Sequence, residues 1–237
     1  MSSGASRSPG ATARRVSPKA VERVMRTLAR EIDGMELPAI EKVSEAHKED
    51  PFRILIGTLL SARTQDATTH AASTRLFRAA RSPKAVAALT VEQIEQLIYP
   101  VGFYRTKARF VKATCEALLQ QHGGKVPRTL DELVALPGVG RKTANLVMIL
   151  AFASGKNICV DTHVHRISNR MGWVTTRVPD ETEHALYAAI EQRWWPFINL
   201  YLVTWGQNVC RPVYPRCGAC ALMPMCPRIG VVKEGKI

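Results

Sequence analysis

The sequence predicts an all-α fold. Apolar residues recur at helical spacing along most of the chain beyond Pro18, strand-like alternation is scarce, and Pro- or Gly-bearing turns divide the helical runs. Val21, Val24, Met25 and Leu28 form the first apolar face, and Ile54, Leu55, Thr58 and Leu59 the second. Further helices are expected over residues 65–80, 91–98, 107–122, 130–136, 142–152, 162–171, 179–192 and 199–208. No internal repeat stands out.

The chain has 237 residues, 46% of them hydrophobic, enough for one or two compact domains. Lys and Arg number 33 against 20 Asp and Glu, a balance of +13 that suits a polyanionic partner, either nucleic acid or an anionic membrane surface. No stretch approaches the roughly 20 apolar residues of a membrane span, and the N-terminus lacks the apolar core of a secretory signal. An intracellular, reducing location follows as an expectation. There, six cysteines serve as metal ligands or buried hydrophobes rather than as disulfides. Residues 1–17 are rich in Ser, Gly, Ala and Arg without an acidic side chain, and read as a flexible basic tail: a solubility tail, a DNA-gripping arm or, third, a transit peptide.

Two local patterns carry chemistry. Thr129 and Glu132 have capping-box spacing and open a short helix, which Pro137 and Gly138 stop. Gly140 then permits a tight hairpin before a second helix near Lys142. Such a hairpin presents backbone N–H groups beside a helix N-terminus, a favourable place for phosphate, although a lone G-x-G also serves as a plain packing corner. The second pattern is Cys210, Cys217, Cys220 and Cys226, four thiols within seventeen residues. Four thiolates hold either zinc or a [4Fe–4S] cluster, and only Cys217 and Cys220 have the short spacing usual for zinc. Cys115 and Cys159 fit neither set and read as buried hydrophobes.

Leu136-Pro137-Gly138-Val139-Gly140-Arg141-Lys142-Thr143-Ala144-Asn145 resembles the helix-hairpin-helix signature of endonuclease III, a DNA glycosylase family. About twenty residues on, Val160-Asp161-Thr162-His163-Val164-His165-Arg166 is similar to that family's aspartate-bearing segment. Residues 59–66 and 101–108 resemble two further segments, so the likeness runs from about Val21 to Cys226. It implies a two-lobed helix-hairpin-helix glycosylase fold. Residues 18–43 and 155–237 would form a cluster domain, and 44–154 a six-helix barrel containing the hairpin at 129–152. It also favours a [4Fe–4S] cluster on Cys210, Cys217, Cys220 and Cys226, with zinc as the alternative.

The implied activity is excision of oxidised pyrimidines from duplex DNA followed by β-elimination at the abasic site, carried out by a monomer in the bacterial cytoplasm, on the nucleoid. Lys142 is the expected nucleophile, with burial and the positive end of its helix favouring the neutral amine. Asp161 is expected to stabilise positive charge on the sugar while also capping a helix. Gly138, Val139, Gly140, Arg141, Arg211 and Arg216 would meet phosphate, and Phe103 would wedge into the stack, its other reading being a core side chain. Asp66 and His163 are supporting residues, and His163 and His165 read as local contacts rather than metal ligands. Arg63 departs from the Gln often found in the family and would lie near the unpaired base. The alternatives are a thymine- or uracil-mismatch glycosylase of the same fold, made less favourable by Lys142, and a non-catalytic DNA-binding module. A further C-terminal domain, as in adenine-mismatch relatives, is not expected.

Overall fold

The computed structural model describes residues 16–38 and 50–235. Most of the expected basic tail and the expected domain boundary near residue 43 lie outside the described residues. Eleven α-helices are described: α1 (Pro18–Glu31), α2 (Pro51–Ser61), α3 (Asp66–Ala79), α4 (Pro83–Ala87), α5 (Val91–Ile98), α6 (Tyr104–His122), α7 (Leu130–Val134), α8 (Arg141–Phe152), α9 (Thr162–Arg170), α10 (Pro179–Ala189) and α11 (Trp195–Asn208). No strand occurs among the described residues.

Two hydrophobic cores organise these helices. The first is continuous in sequence and draws on α2 to α8, with Leu55, Leu60, Ile94, Leu118 and Leu133 fully buried. α2 is its axis: eight of its residues are buried, and it packs against α3, α6 and α8. Asp50 starts α2 by accepting the Phe52 and Arg53 N–H groups on Oδ1 at 3.1 and 3.2 Å. The second core joins α1 to everything beyond Ile158, with α11 packed against α1 and α9.

Several boundaries differ from expectation for identifiable reasons. Pro196 occupies the first turn of α11, where a missing N–H leaves no bond unmade, so that helix begins four residues before position 199. α6 begins three residues before position 107 because Phe103 sits at its N-cap in a left-handed conformation. α4, unforeseen, starts at Ser82, whose hydroxyl accepts the Ala85 N–H at 3.2 Å, with Pro83 behind it. The reciprocal capping box falls at Thr90 and Gln93. At Thr129 only half of one forms: Oγ1 accepts the Glu132 N–H at 3.4 Å, while the hydroxyl donates to Glu132 Oε2 at 2.5 Å and occupies that carboxylate.

The α7–α8 hairpin is held from outside. Thr114 Oγ1 on α6 donates to the Pro137 carbonyl at 2.7 Å, and Leu136 and Val139 are buried in the first core. Gly138, not Gly140, supplies the left-handed residue, with φ +74°. A Cβ on Gly138 would stand 2.6 Å from the Phe110 ring, whereas one on Gly140 would meet open space. Gly138→Ala is therefore expected to lower the melting temperature by several degrees, since positive φ alone costs an L-residue roughly 1–2 kcal/mol. Phe110→Ala in the same chain should restore only the steric part. A melting temperature equal to the parent's in Gly138→Ala would remove both constraints.

Candidate active site

A cleft of ≈ 480 Å³ lies between the two cores. One wall comes from the end of α2 and the start of α3, including Arg63 and Asp66. Lys142 of α8, the start of α9 with Asp161 and His163, and Asn199 and Gln207 of α11 complete it. Helix starts thus converge on the cleft, and their partial positive charge favours anions there.

Lys142 is the second residue of α8 and is exposed at this opening, not buried as expected of the nucleophile. Asp161 is the N-cap of α9, and Oδ1 accepts the His163 and Val164 N–H groups, both at 2.8 Å. The capping therefore uses one oxygen of the carboxylate. His163 is half-buried, and burial pushes its imidazolium below the usual histidine range against the opposing pull of Asp161. Its Nδ1 lies 3.1 Å from Arg166 Nη2, which also donates to the Cys210 carbonyl at 2.7 Å. His165 Nδ1 meets Thr182 Oγ1 at 2.6 Å, a local contact. Asp66 is the first residue of α3.

At the cleft's rim, Arg63 and Phe103 stand side by side. Both are exposed, Phe103 by 64%, which rules out its core reading, and the guanidinium carbon lies 5.8 Å from the ring centroid. On the hairpin, Val139 differs from expectation: its side chain is buried and its backbone N–H donates to the Leu136 carbonyl at 3.1 Å, so that donor is already engaged inside the turn. Arg141 differs from expectation. Its Nε donates to both oxygens of Glu183 at 3.0 Å and Nη2 lies 2.9 Å from Oε1, with Glu183 only 2% exposed. This pair ties α8 to α10 and leaves the backbone N–H of Arg141 for any anion at the helix start.

The four clustered cysteines follow α11. Cys217 and Cys226 adjoin the 3-10 turns Cys217–Ala219 and Met223–Met225, and all four thiols line one small cavity with Val209, Met223 and Val231. None is in a disulfide. Burial pushes the Cys217, Cys220 and Cys226 thiols up, with neighbouring cysteines adding to the effect. Compensating groups are present: Arg170 Nη1 donates to Cys210 Sγ at 3.3 Å, and the buried Trp205 indole N–H favours the Cys220 thiolate. Among the described residues no three Cys, His, Asp or Glu side chains converge tightly enough for a single ion. Four thiols around one apolar cavity, with the Arg170 and Trp205 donors beside them, fit a group held by four thiolates.

The loop between the first two cysteines is stitched to α9: Arg170 donates to the Arg211 and Pro212 carbonyls at 2.7 and 2.8 Å. The Arg211 and Arg216 side chains remain exposed. Cys115 and Cys159 are fully buried, as expected of hydrophobes. Glu183, Arg166, Arg170 and Lys107 were not singled out from sequence, because each acts on a partner distant in the chain.

A profile of the HhH-GPD superfamily of base excision DNA repair proteins matches residues 56–194. Endonuclease III of Thermotoga maritima is 45% identical over 200 residues, which are 84% of this chain and 90% of that one. The fold is similar to a trapped endonuclease III–DNA covalent intermediate, an estranged-adenine complex, with TM-score 0.79 and 32% identity over 90% of this chain and 97% of that one. It is equally similar to a non-covalent endonuclease III–DNA complex, with TM-score 0.80 and 33% identity over 90% and 96%. The chain belongs to the HhH-GPD superfamily and, within it, to the endonuclease III family. No helix among the described residues is long and apolar enough to cross a membrane.

Proposed function

We propose that the chain excises oxidised pyrimidines from duplex DNA as a base-excision glycosylase and then nicks the abasic strand as a lyase. The observation that carries this reading is the shared cleft of Lys142 and Asp161 between the two cores. The target nucleotide leaves the stack to reach it, at a cost of a few kcal/mol. Phe103 and Arg63 fill the space it vacates and meet the orphaned base. Backbone N–H groups of Gly138, Gly140 and Arg141, with Arg211 and Arg216, hold phosphates and set the register.

Lys142 Nζ, once neutral, attacks C1′ as the glycosidic bond breaks and its electron pair leaves with the base. The DNA covers this exposed amine and supplies the desolvation that the free protein lacks. Positive charge gathers on the sugar at this step, and the Asp161 carboxylate stabilises it while remaining fixed by its capping bonds. The sugar ring opens to give an imine between Nζ and C1′. This acidifies the C2′ hydrogen, whose removal expels the 3′ phosphate by β-elimination, and water then releases the lysine.

Cys210, Cys217, Cys220 and Cys226 would hold a [4Fe–4S] cluster, which supplies a structural brace rather than a reacting centre. Arg170 and Trp205 support those ligands, and the Arg211–Arg216 loop is thereby held out toward DNA. Purified protein is expected to contain about four iron and four sulfide per chain. On a duplex with one oxidised pyrimidine it should release the base and leave the β-elimination end. Base release without a nick would overturn the lyase reading, and zinc in place of iron the cluster. We place the enzyme, as a monomer, in the bacterial cytoplasm, associated with the nucleoid.

A further inference from the structure

Two segments far apart in sequence meet at the cleft's rim, residues 61–64 at the end of α2 and 101–103 before α6. Arg63 has φ 52° and Phe103 φ 59°, so two neighbouring non-glycine residues adopt the left-handed conformation. Each such residue costs on the order of 1 kcal/mol and persists only where its surroundings over-determine it.

Those surroundings centre on Lys107, in the first turn of α6. Its residue is only 6% exposed. Nζ donates to the Leu60 carbonyl at 2.7 Å, the Ala62 carbonyl at 2.5 Å and Thr64 Oγ1 at 3.0 Å. An ammonium has three donors, and these are three acceptors. Burial pushes Lys107 down to about 8, which still leaves it mostly protonated at neutral pH, with every donor in place. Two of the acceptors belong to the end of α2, where helix carbonyls lack partners and the helix dipole favours a cation. Thr64 Oγ1 also accepts the Gly102 N–H at 3.1 Å. Gly102 has to be glycine, because a Cβ there would run into the Arg63 carbonyl oxygen. Lys107, Thr64 and Gly102 thus stitch the two segments together immediately behind the Arg63–Phe103 pair. A site needing only bulk between α2 and α6 would be filled more favourably by an apolar side chain than by a desolvated cation.

We propose that Lys107 is a positioning residue that locks segments 61–64 and 101–103 into one block, so that Arg63 and Phe103 meet the DNA gap already assembled. This rests on the reading of Arg63 and Phe103 as the gap-filling pair. The pair then loses little freedom on binding, and the benefit appears in the excision rate rather than in phosphate contact.

A double-mutant cycle tests it. Single-turnover excision of one oxidised pyrimidine would be measured for Lys107→Met and Thr64→Val, for the Arg63→Gln/Phe103→Ala variant, and for each stitch change combined with that variant. Thr64→Val, which cuts the stitch without removing a buried charge, serves as the variant least able to disturb folding. Lys107→Met and Thr64→Val are each expected to slow excision about tenfold or more in the parent chain. Both should add nothing once Arg63 and Phe103 are replaced, because their effect passes through that pair. Losses that multiply in full in the triple variants, or wild-type rates for both stitch variants, would overturn the positioning role. Wild-type excision by the Arg63→Gln/Phe103→Ala variant would instead overturn the gap-filling reading and, with it, the proposal.

Discussion

Lys142→Ala is expected to form no borohydride-stable adduct with abasic-site DNA, while binding that DNA within a few-fold of the parent. Reduction fixes only an imine, and only an amine in reach of C1′ makes one. Among the described residues Lys142 is the one lysine lining the cleft. Lys107 cannot stand in for it, because its Nζ is buried and engaged with three acceptors. Removing one exposed cation at a helix start leaves the hairpin's backbone donors untouched, so affinity is largely retained while covalent chemistry is lost. The measurement is the shifted band after borohydride treatment at saturating enzyme. Trapping undiminished in Lys142→Ala would place the nucleophile elsewhere.

Asp161→Asn is expected to cut single-turnover excision by about 10²–10³-fold, the scale seen when one preorganised electrostatic stabiliser is removed. Its stability should barely change. Both capping bonds land on Oδ1, which the amide oxygen of Asn can replace, and Asn caps helices about as well as Asp. Asp161→Ala should lose the same activity and also about 1 kcal/mol of stability. The two variants therefore separate a charge from a cap at one position. Excision at the parent's rate in Asp161→Asn would leave the residue as a cap alone.

The features legible in the sequence were those encoded by neighbours along the chain. Helical periodicity gave most of the helices, and the spacing of the four cysteines and of the 136–145 segment marked the places where chemistry collects. Gly138 and Gly140 were both recognisable as turn residues, but not their division of labour. That depends on the Phe110 ring of α6 pressing on one and leaving the other open. Arg141 looked like a phosphate contact because nothing nearby in sequence announces Glu183, 42 residues away. Lys107 stood only as the expected first residue of a helix over 107–122 and as part of the 101–108 segment, and its acceptors lie 43 to 47 residues upstream. Side chains that act across the fold leave no periodic trace, and these hold the site together.

The interleaving of the two cores also bears on how the chain assembles. The first core uses an unbroken stretch, so its contacts can close as soon as residues up to the end of α8 exist. The second needs α1 and the helices beyond Ile158, contacts of high sequence separation that are slow to form in an open chain. Once the first core is complete it acts as a rigid splint, bringing its two flanking segments together and shortening the effective loop that α1 must close. Synthesis then delivers the four cysteines after α11, in a segment whose Leu222 joins the second core. A group loaded into their cavity, as proposed, would then arrive after the helices that line the cleft, whose lining ends at Gln207.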